Sequence, residues 1–411
     1  MNIWLINNYN MMPVHGQLNR NYYLGEKLSC LGHNVVVYVG SHPHNTDLQL
    51  IEGKEKYRVY QKDPFHWVLI KTCNYEGSKL KQIFSMFQFY FNVKEAVKNF
   101  ERPDAIVGSS AHPLAAFLAL KLKKRYNCKS IVEIRDLWPE SIVAYGILRR
   151  NNPITKLLYR FEKYLYKTAD AVVFTMEGAY QYIIDRGWEK DVPSSKVFYV
   201  NNGVDLDEFD YNKEHFILKN ESLARQDLFK VVYTGSIKRA NNIGMLVDAA
   251  KRIKNSKVKI LIWGAGEEVK KLQKKILSEN LQNIEIFEKV DKKYIPYIVS
   301  HADLNIAHNE FSDIIKYGIS LNKMFDYLAA GKPVFFDFEC KYNPAIQNGA
   351  GFEISIQNPD LIAKKIDEIS LLDADTYSKY AINARKTAGI YDYKNLAKKM
   401  EKVINSIGVK E

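Results

Sequence analysis

The feature that most constrains this chain is an alternation that starts twice. Short apolar runs alternate with segments of helical periodicity, first from Met1 and again from Lys230. Strands separated by helices predict parallel sheets covered by helices, an α/β architecture. In the first series, Met1–Asn7, Asn34–Val39, Asp104–Gly108, Ser130–Ile134, Ala169–Phe174 and Val197–Val200 read as strands. Helices are expected near Asn19–Leu31, Lys79–Phe100, Pro113–Lys124 and Ile154–Tyr166. The second series has strands at Lys230–Ser236, Val258–Trp263 and Ala302–Ala307, with a helix after Asn242. Between the two, Asn201–Asp205 forms turns and Asp207–Gln226 is polar, which marks a boundary. The expected domains are residues 1–203 and 204–393. Residues 394–411 are read as an amphipathic helix that returns to the first domain.

Composition removes several alternatives. The chain has 411 residues, 46% of them hydrophobic and 26% charged, enough for two cores and unlike a disordered chain. No apolar run reaches membrane-spanning length, and Met1–Asn8 lacks the basic region of a signal peptide, so it reads as a first buried strand. Cys30, Cys73, Cys128 and Cys340 have neither metal-ligand spacing nor a disulfide framework, and are read as reduced packing residues in a cytosolic protein. A formal charge of +12 calls for an anionic partner. No nucleic-acid module is visible.

The richest stretch is Tyr317–Phe336. Ser320 is an N-cap candidate, and Leu321, Met324, Phe325 and Leu328 recur at helical spacing. Gly331 stands where a helix-ending glycine belongs, with Pro333 just beyond. The helix start offers unpaired N–H groups suited to phosphate, and Lys323 adds a cation. Asp326, one turn on, can accept hydrogen bonds from a ribose diol. An ordinary amphipathic helix with two solvated polar residues explains the stretch equally well when it is taken alone.

Other loops lie at the carboxyl ends of predicted strands, where ligands bind in open α/β sheets. His15 and Gly16 follow the first strand, though a lone His-Gly also suits an ordinary surface loop. Arg135 and Asp136 follow Ser130–Ile134. Charged residues there are poorly explained by packing, and Asp136 can accept a proton from a hydroxyl. Gly264 and Gly266 begin a dinucleotide-type fingerprint whose third glycine is absent. The Lys79–Phe100 segment sets Ile83, Phe84, Phe87, Phe91 and Phe100 among lysines. That pattern fits either a membrane-surface helix or a core-facing stripe, and the core is favoured, leaving only the basic rim for lipid.

Taken in order, these motifs resemble the family 4 glycosyltransferases, close to bacterial enzymes that build capsule, O-antigen and related polysaccharides on a lipid carrier. The carriers are Gly16, Leu31–Val35, Arg135–Glu140, Asn202–Asp205, Tyr233–Gly235, Gly264–Gly266 and Ser320–Pro333. The resemblance implies the GT-B fold, two Rossmann-like αβα domains facing across a cleft that closes over the substrates. It also implies a retaining transfer of a hexosyl or N-acetylhexosaminyl group from a nucleotide sugar, by family habit UDP-linked. No metal or cofactor is expected. A lipid-linked saccharide acceptor and an anionic membrane surface are the implied partners, with the protein cytoplasmic and peripheral on the inner face of the plasma membrane.

Residue by residue, Asp326 matches the ribose-binding carboxylate. Gly235, Ser236, Lys238, Arg239, Ser320, Asn322 and Lys323 fall where donor phosphates are held, and Gly264 and Gly266 where backbone approaches the nucleotide. Gly16 faces the diphosphate. Asp136 is the acceptor-side catalytic candidate beside His15, Arg20, His112 and Arg135, and Lys323 is its donor-side counterpart. The chain departs from the usual pattern at three places. Gly318 stands where a glutamate is usual, Ser236 where an arginine is, and Asn241 where a lysine is. A non-catalytic binding subunit therefore stays open, as does an NAD-dependent enzyme built on the Gly264–Gly266 turn.

Overall fold

The computed structural model describes residues 1–407 apart from residues 17, 45, 63, 111–112 and 311. The chain divides into two compact units. One comprises Met1–Asn201 together with the segment from Tyr393 onward, and the other is Asn202–Asp392.

In the first unit the strands are β1 (Asn2–Ile6), β2 (Asn34–Gly40), β3 (Tyr57–Lys62), β4 (Phe65–Ile70), β5 (Ala105–Ser109), β6 (Lys129–Ile134), β7 (Ala171–Phe174) and β8 (Val197–Tyr199). Among the described residues they pair in the order β3-β4-β2-β1-β5-β6-β7-β8. All pairs are parallel except β3 with β4. The strands are nearly continuous Val/Ile runs because both faces of a parallel sheet are covered. Strand order reverses between β1 and β5, the switch point at which such sheets bind ligands.

The second unit contains β9 (Phe229–Thr234), β10 (Val258–Trp263), β11 (Ile284–Phe287), β12 (Leu304–Ala307), β13 (Val334–Phe336) and β14 (Gly351–Glu353). These pair in parallel in the order β11-β10-β9-β12-β13-β14. The switch point lies between β9 and β12. Helix Gly244–Ala250 packs its Leu246 and Val247 into the core formed by Val231, Ile260, Ile262 and Ile306.

The closing helix is Tyr393–Ser406, and it belongs to the first unit. Tyr393 stacks on Tyr23 of helix Arg20–Cys30 at 4.9 Å, and His33 Nε2 meets Glu401 Oε1 at 2.8 Å.

Three expectations need correction, and one element was not foreseen. The boundary falls at Asn201/Asn202, before the polar stretch Asp207–Gln226, which folds into helices Leu206–His215 and Glu221–Ala224 inside the second unit. The β3–β4 hairpin is absent from the sequence reading. Cys30 is exposed, so it does not pack in a core. Finally, the aromatic stripe of helix Lys79–Ala96 does not face the core. Ser85, Phe89, Val93 and Ala96 do, while Ile83, Phe84, Phe87 and Phe91 are exposed. Phe100 lies beyond that helix and packs on Tyr38.

Candidate functional site

In the second unit, β9 ends at Thr234 and the chain turns through Gly235 at φ 154°. A Cβ at Gly235 would lie 2.7 Å from Lys323 Nζ and 3.0 Å from the Tyr233 hydroxyl. Only glycine admits both that backbone and that approach. The Lys323 ammonium sits 4.0 Å from the centre of the Tyr233 ring and donates to its hydroxyl at 2.9 Å. That hydroxyl in turn donates to the Ser236 carbonyl at 3.1 Å. Lys323 is half-buried. Burial pulls its ammonium down from 10.5 to about 7, with the Asp337 carboxylate pulling the other way.

Lys323 stands in the first turn of helix Asn322–Ala329. Ser320 is not its N-cap. Leu321 holds that position and no side chain caps the helix, while the Ser320 hydroxyl accepts from the Asn202 N–H at 3.3 Å. The Asn202 side chain also donates to the Ser320 carbonyl at 3.0 Å. The helix thus begins with first-turn N–H groups free of side-chain capping, beside a cation. Tyr327 anchors the helix to the sheet, its hydroxyl accepting from the Thr234 N–H at 2.8 Å. Gly331 ends it at φ 64°.

Asp326 is half-buried and, among the described residues, its carboxylate makes neither a hydrogen bond nor an ion pair. Burial raises its carboxyl from 3.8 to about 6, with Lys292 lowering it and Glu208 raising it further. An open carboxylate one turn from Lys323 suits a diol.

Gly264 and Gly266 have a packing reason that the sequence did not disclose. A Cβ on Gly264 would lie 2.0 Å from the Gly235 carbonyl oxygen, and one on Gly266 would lie 2.1 Å from that of Ile237. The two loops lie backbone against backbone, joined by Ile237 N–H to the Ala265 carbonyl at 2.9 Å. This contact sets the path of the exposed Ser236, Lys238 and Arg239. The Arg239 N–H donates to Glu267 Oε1 at 3.0 Å. Gly318, where the resemblance leads one to expect glutamate, has φ 112°, a backbone conformation that favours glycine.

Two residues that sequence reading missed lie just past β12 and β13. His308 and Asp337 are fully buried and paired through Nδ1 and Oδ2. His308 Nε2 donates to the Asn242 carbonyl at 3.0 Å, and Gln357 Nε2 donates to Asp337 Oδ2 at 3.1 Å. The network fastens the turn after Arg239 to two strand ends. The rule that singled out Asp136, a polar residue at the carboxyl end of a buried parallel strand, applies equally to these two.

In the first unit the candidates divide. Asp136 is exposed beyond β6 and makes no side-chain hydrogen bond or ion pair among the described residues. It does not pair with Arg135, whose Nε is buried without a partner among the described residues. Arg20 requires a correction, since it is structural. It is 2% exposed, pairs with Glu133 at 2.9 Å and donates to the Val200 carbonyl at 2.8 Å. Burial alone would raise the Glu133 carboxyl, but the Arg20 charge and a 2.6 Å hydrogen bond from Ser109 hold it below the ordinary range. His15 is half-buried, and burial lowers its imidazole. With Met11 and Met12 it lines a cavity of about 40 Å³, and Gly16 follows it. His112 lies outside the described residues. Among the described residues no group of three or more His, Cys, Asp or Glu is placed to hold a metal ion.

Two family models match this chain, Glycosyltransferase Family 4 over residues 14–208 and Glycosyl transferases group 1 over residues 215–387. The Pseudomonas aeruginosa protein described as probable glycosyltransferase WbjE is 23% identical over 306 residues, covering 72% of each chain. Sucrose-phosphate synthase from Thermosynechococcus elongatus superposes with a TM-score of 0.71 at 18% identity, over 98% of both chains. HepE of Anabaena, solved with UDP, superposes with a TM-score of 0.64 at 14% identity, over 98% of this chain and 99% of its own.

Proposed function

The chain belongs to the family 4 glycosyltransferases and has the GT-B fold, and from that premise we propose that it transfers a sugar from a UDP-linked donor to a lipid-linked saccharide. In this reading the sugar is a hexose or an N-acetylhexosamine, anomeric configuration is retained, and no metal ion is needed. The work is done at the cytoplasmic face of the membrane during assembly of a bacterial surface polysaccharide. UDP is favoured because HepE, a fold relative, is bound to it.

The observation that carries the reading is the Lys323 amine, fixed against Tyr233 at the end of β9 and next to an uncapped helix start. As the sugar–phosphate bond breaks, oxocarbenium character builds on the sugar and negative charge on the leaving diphosphate. A positioned ammonium and helix N–H groups stabilise that charge at the point where it appears. Asp326 receives the ribose hydroxyls. In the first unit, Asp136 accepts the proton of the attacking hydroxyl.

Calorimetric titration with UDP, GDP, ADP and NAD, in chelator throughout, tests the donor half. UDP is expected to bind, and Asp326→Ala to abolish binding. Binding of no nucleoside diphosphate would overturn the reading, and preference for NAD would move the chain to another reaction class. A second reading, a nucleotide-binding subunit without transferase activity, draws on Gly318, Ser236 and Asn241, which stand where glutamate, arginine and lysine are usual. UDP binding without transfer to any lipid-linked acceptor would favour it.

A further inference from the structure

Helix Lys79–Ala96 carries an apolar stripe that nothing in its unit covers. Leu80, Phe84, Phe87 and Phe91 follow one another at three- and four-residue steps with Ile83 beside them, and all five are 48–81% exposed. The helix already has its own core face in Phe89 and Val93, so the stripe is surplus to folding. Contiguous exposed apolar surface of this kind marks an interaction site.

The stripe does not stop at one helix. Tyr90 stacks on Phe117 of helix Pro113–Tyr126 at 6.2 Å. Phe117 in turn meets Phe161 at 5.7 Å and Tyr164 at 6.4 Å on helix Pro153–Thr168. On that third helix Ile154 and Leu157 are again exposed. The three helices follow the carboxyl ends of β4, β5 and β6, so their first turns lie toward the edge that bears His15 and Asp136. Gln82 in the first helix reaches the Tyr9 hydroxyl beyond β1 at 3.4 Å.

The charge around this surface has one sign. Lys79, Lys81, Lys121, Lys124, Lys156 and Arg160 rim it and, among the described residues, form no ion pair. The three helices contain only two acidic residues, Glu95 and Glu162. Glu95 pairs with Lys98, and Glu162 is buried. A second copy of the chain would set lysine against lysine, whereas an anionic leaflet offers phosphates to the cations and an acyl boundary to the rings. No described helix is long and apolar enough to cross a membrane.

We propose that this three-helix face docks the enzyme on an anionic bilayer, with the Phe84–Phe87 ridge in the headgroup–acyl boundary and the lysines over lipid phosphates. The proposal deepens the function proposed above, since a lipid-linked acceptor would then reach the Asp136 edge from the surface on which the enzyme sits.

Flotation of the full chain with phosphatidylcholine vesicles, alone or mixed with phosphatidylglycerol, tests it. The wild type should float only with the anionic vesicles, and added salt should release it. Phe84→Ser/Phe87→Ser and Lys79→Glu/Lys81→Glu should each lower the partition coefficient about tenfold or more. Leu277→Ser, at an exposed apolar site in the second unit, should change nothing. These positions are exposed, so unchanged thermal midpoints would verify that the variants fold. Equal flotation of wild type and variants, or no flotation at all, overturns the proposal. So does a wild-type dimer that the same substitutions dissociate. UDP titration of the same proteins keeps the two questions apart: flotation without nucleotide binding leaves the docking surface standing and removes the transferase reading, and nucleotide binding without flotation does the reverse.

Discussion

The two sheets put polar residues at the same kind of edge and use them differently. Past β9, the Lys323 amine, the uncapped helix start and the Asp326 carboxylate are held in place yet left with bonding capacity to spare. At the first sheet's edge Arg20 spends its hydrogen bonds on Glu133 and the Val200 carbonyl, while Asp136 is left exposed. A charged residue at a strand's carboxyl end is therefore a candidate and no more. What separates a ligand group from a strut is whether the fold has already satisfied it.

That contrast can be broken at the strut. Removing one member of a buried ion pair strands the other, so Arg20→Ala should cost about 3–5 kcal/mol of stability. Urea unfolding would measure the loss, and UDP affinity should survive at temperatures where the protein stays folded. A loss of affinity without a loss of stability would instead make Arg20 a ligand group. Asp136→Asn is the converse case. Stability should hold while sugar transfer falls about a hundredfold, the contribution of a positioned base, and normal transfer would remove Asp136 from the mechanism.

Lys323→Ala sharpens the other side. A charge-assisted hydrogen bond is worth about 1.5–3 kcal/mol, so turnover should fall more than tenfold while the melting temperature barely moves. The same amine gives a pH signature. Burial has pulled it down to about 7, so in the free enzyme it is charged below that value and neutral above it. A diphosphate needs the charged form, so UDP affinity should hold below pH 7 and fall by up to about tenfold per unit above it. Titration in Lys323→Met should lose that slope. Ser320→Ala should do least, costing about 1 kcal/mol through the lost bond to the Asn202 N–H.

The sequence disclosed the two parallel sheets because strands covered on both faces become apolar runs that helical segments separate. It concealed the β3–β4 hairpin, whose outer strand is mixed in polarity. It showed that Ile83, Phe84, Phe87 and Phe91 share a face, but periodicity does not say which face turns inward, and Phe89 and Val93 took the core. Ser320 had the right chemistry for a cap, yet Asn202, distant in sequence, claimed its hydroxyl. His308 and Asp337 went unread because their partnership spans 29 residues and only folding creates it.

The closing helix has a consequence for how the chain is made. The second unit is one uninterrupted stretch, whereas the first is written in two pieces with the whole of the second between them. As the ribosome proceeds, the first sheet exists long before Leu396, Met400 and Ile404 arrive to cover helix Arg20–Cys30. The domain begun first is therefore the domain finished last. A chain released early at residue 392 would carry a complete second unit beside a first unit whose apolar flank lies open, a form that quality control can recognise.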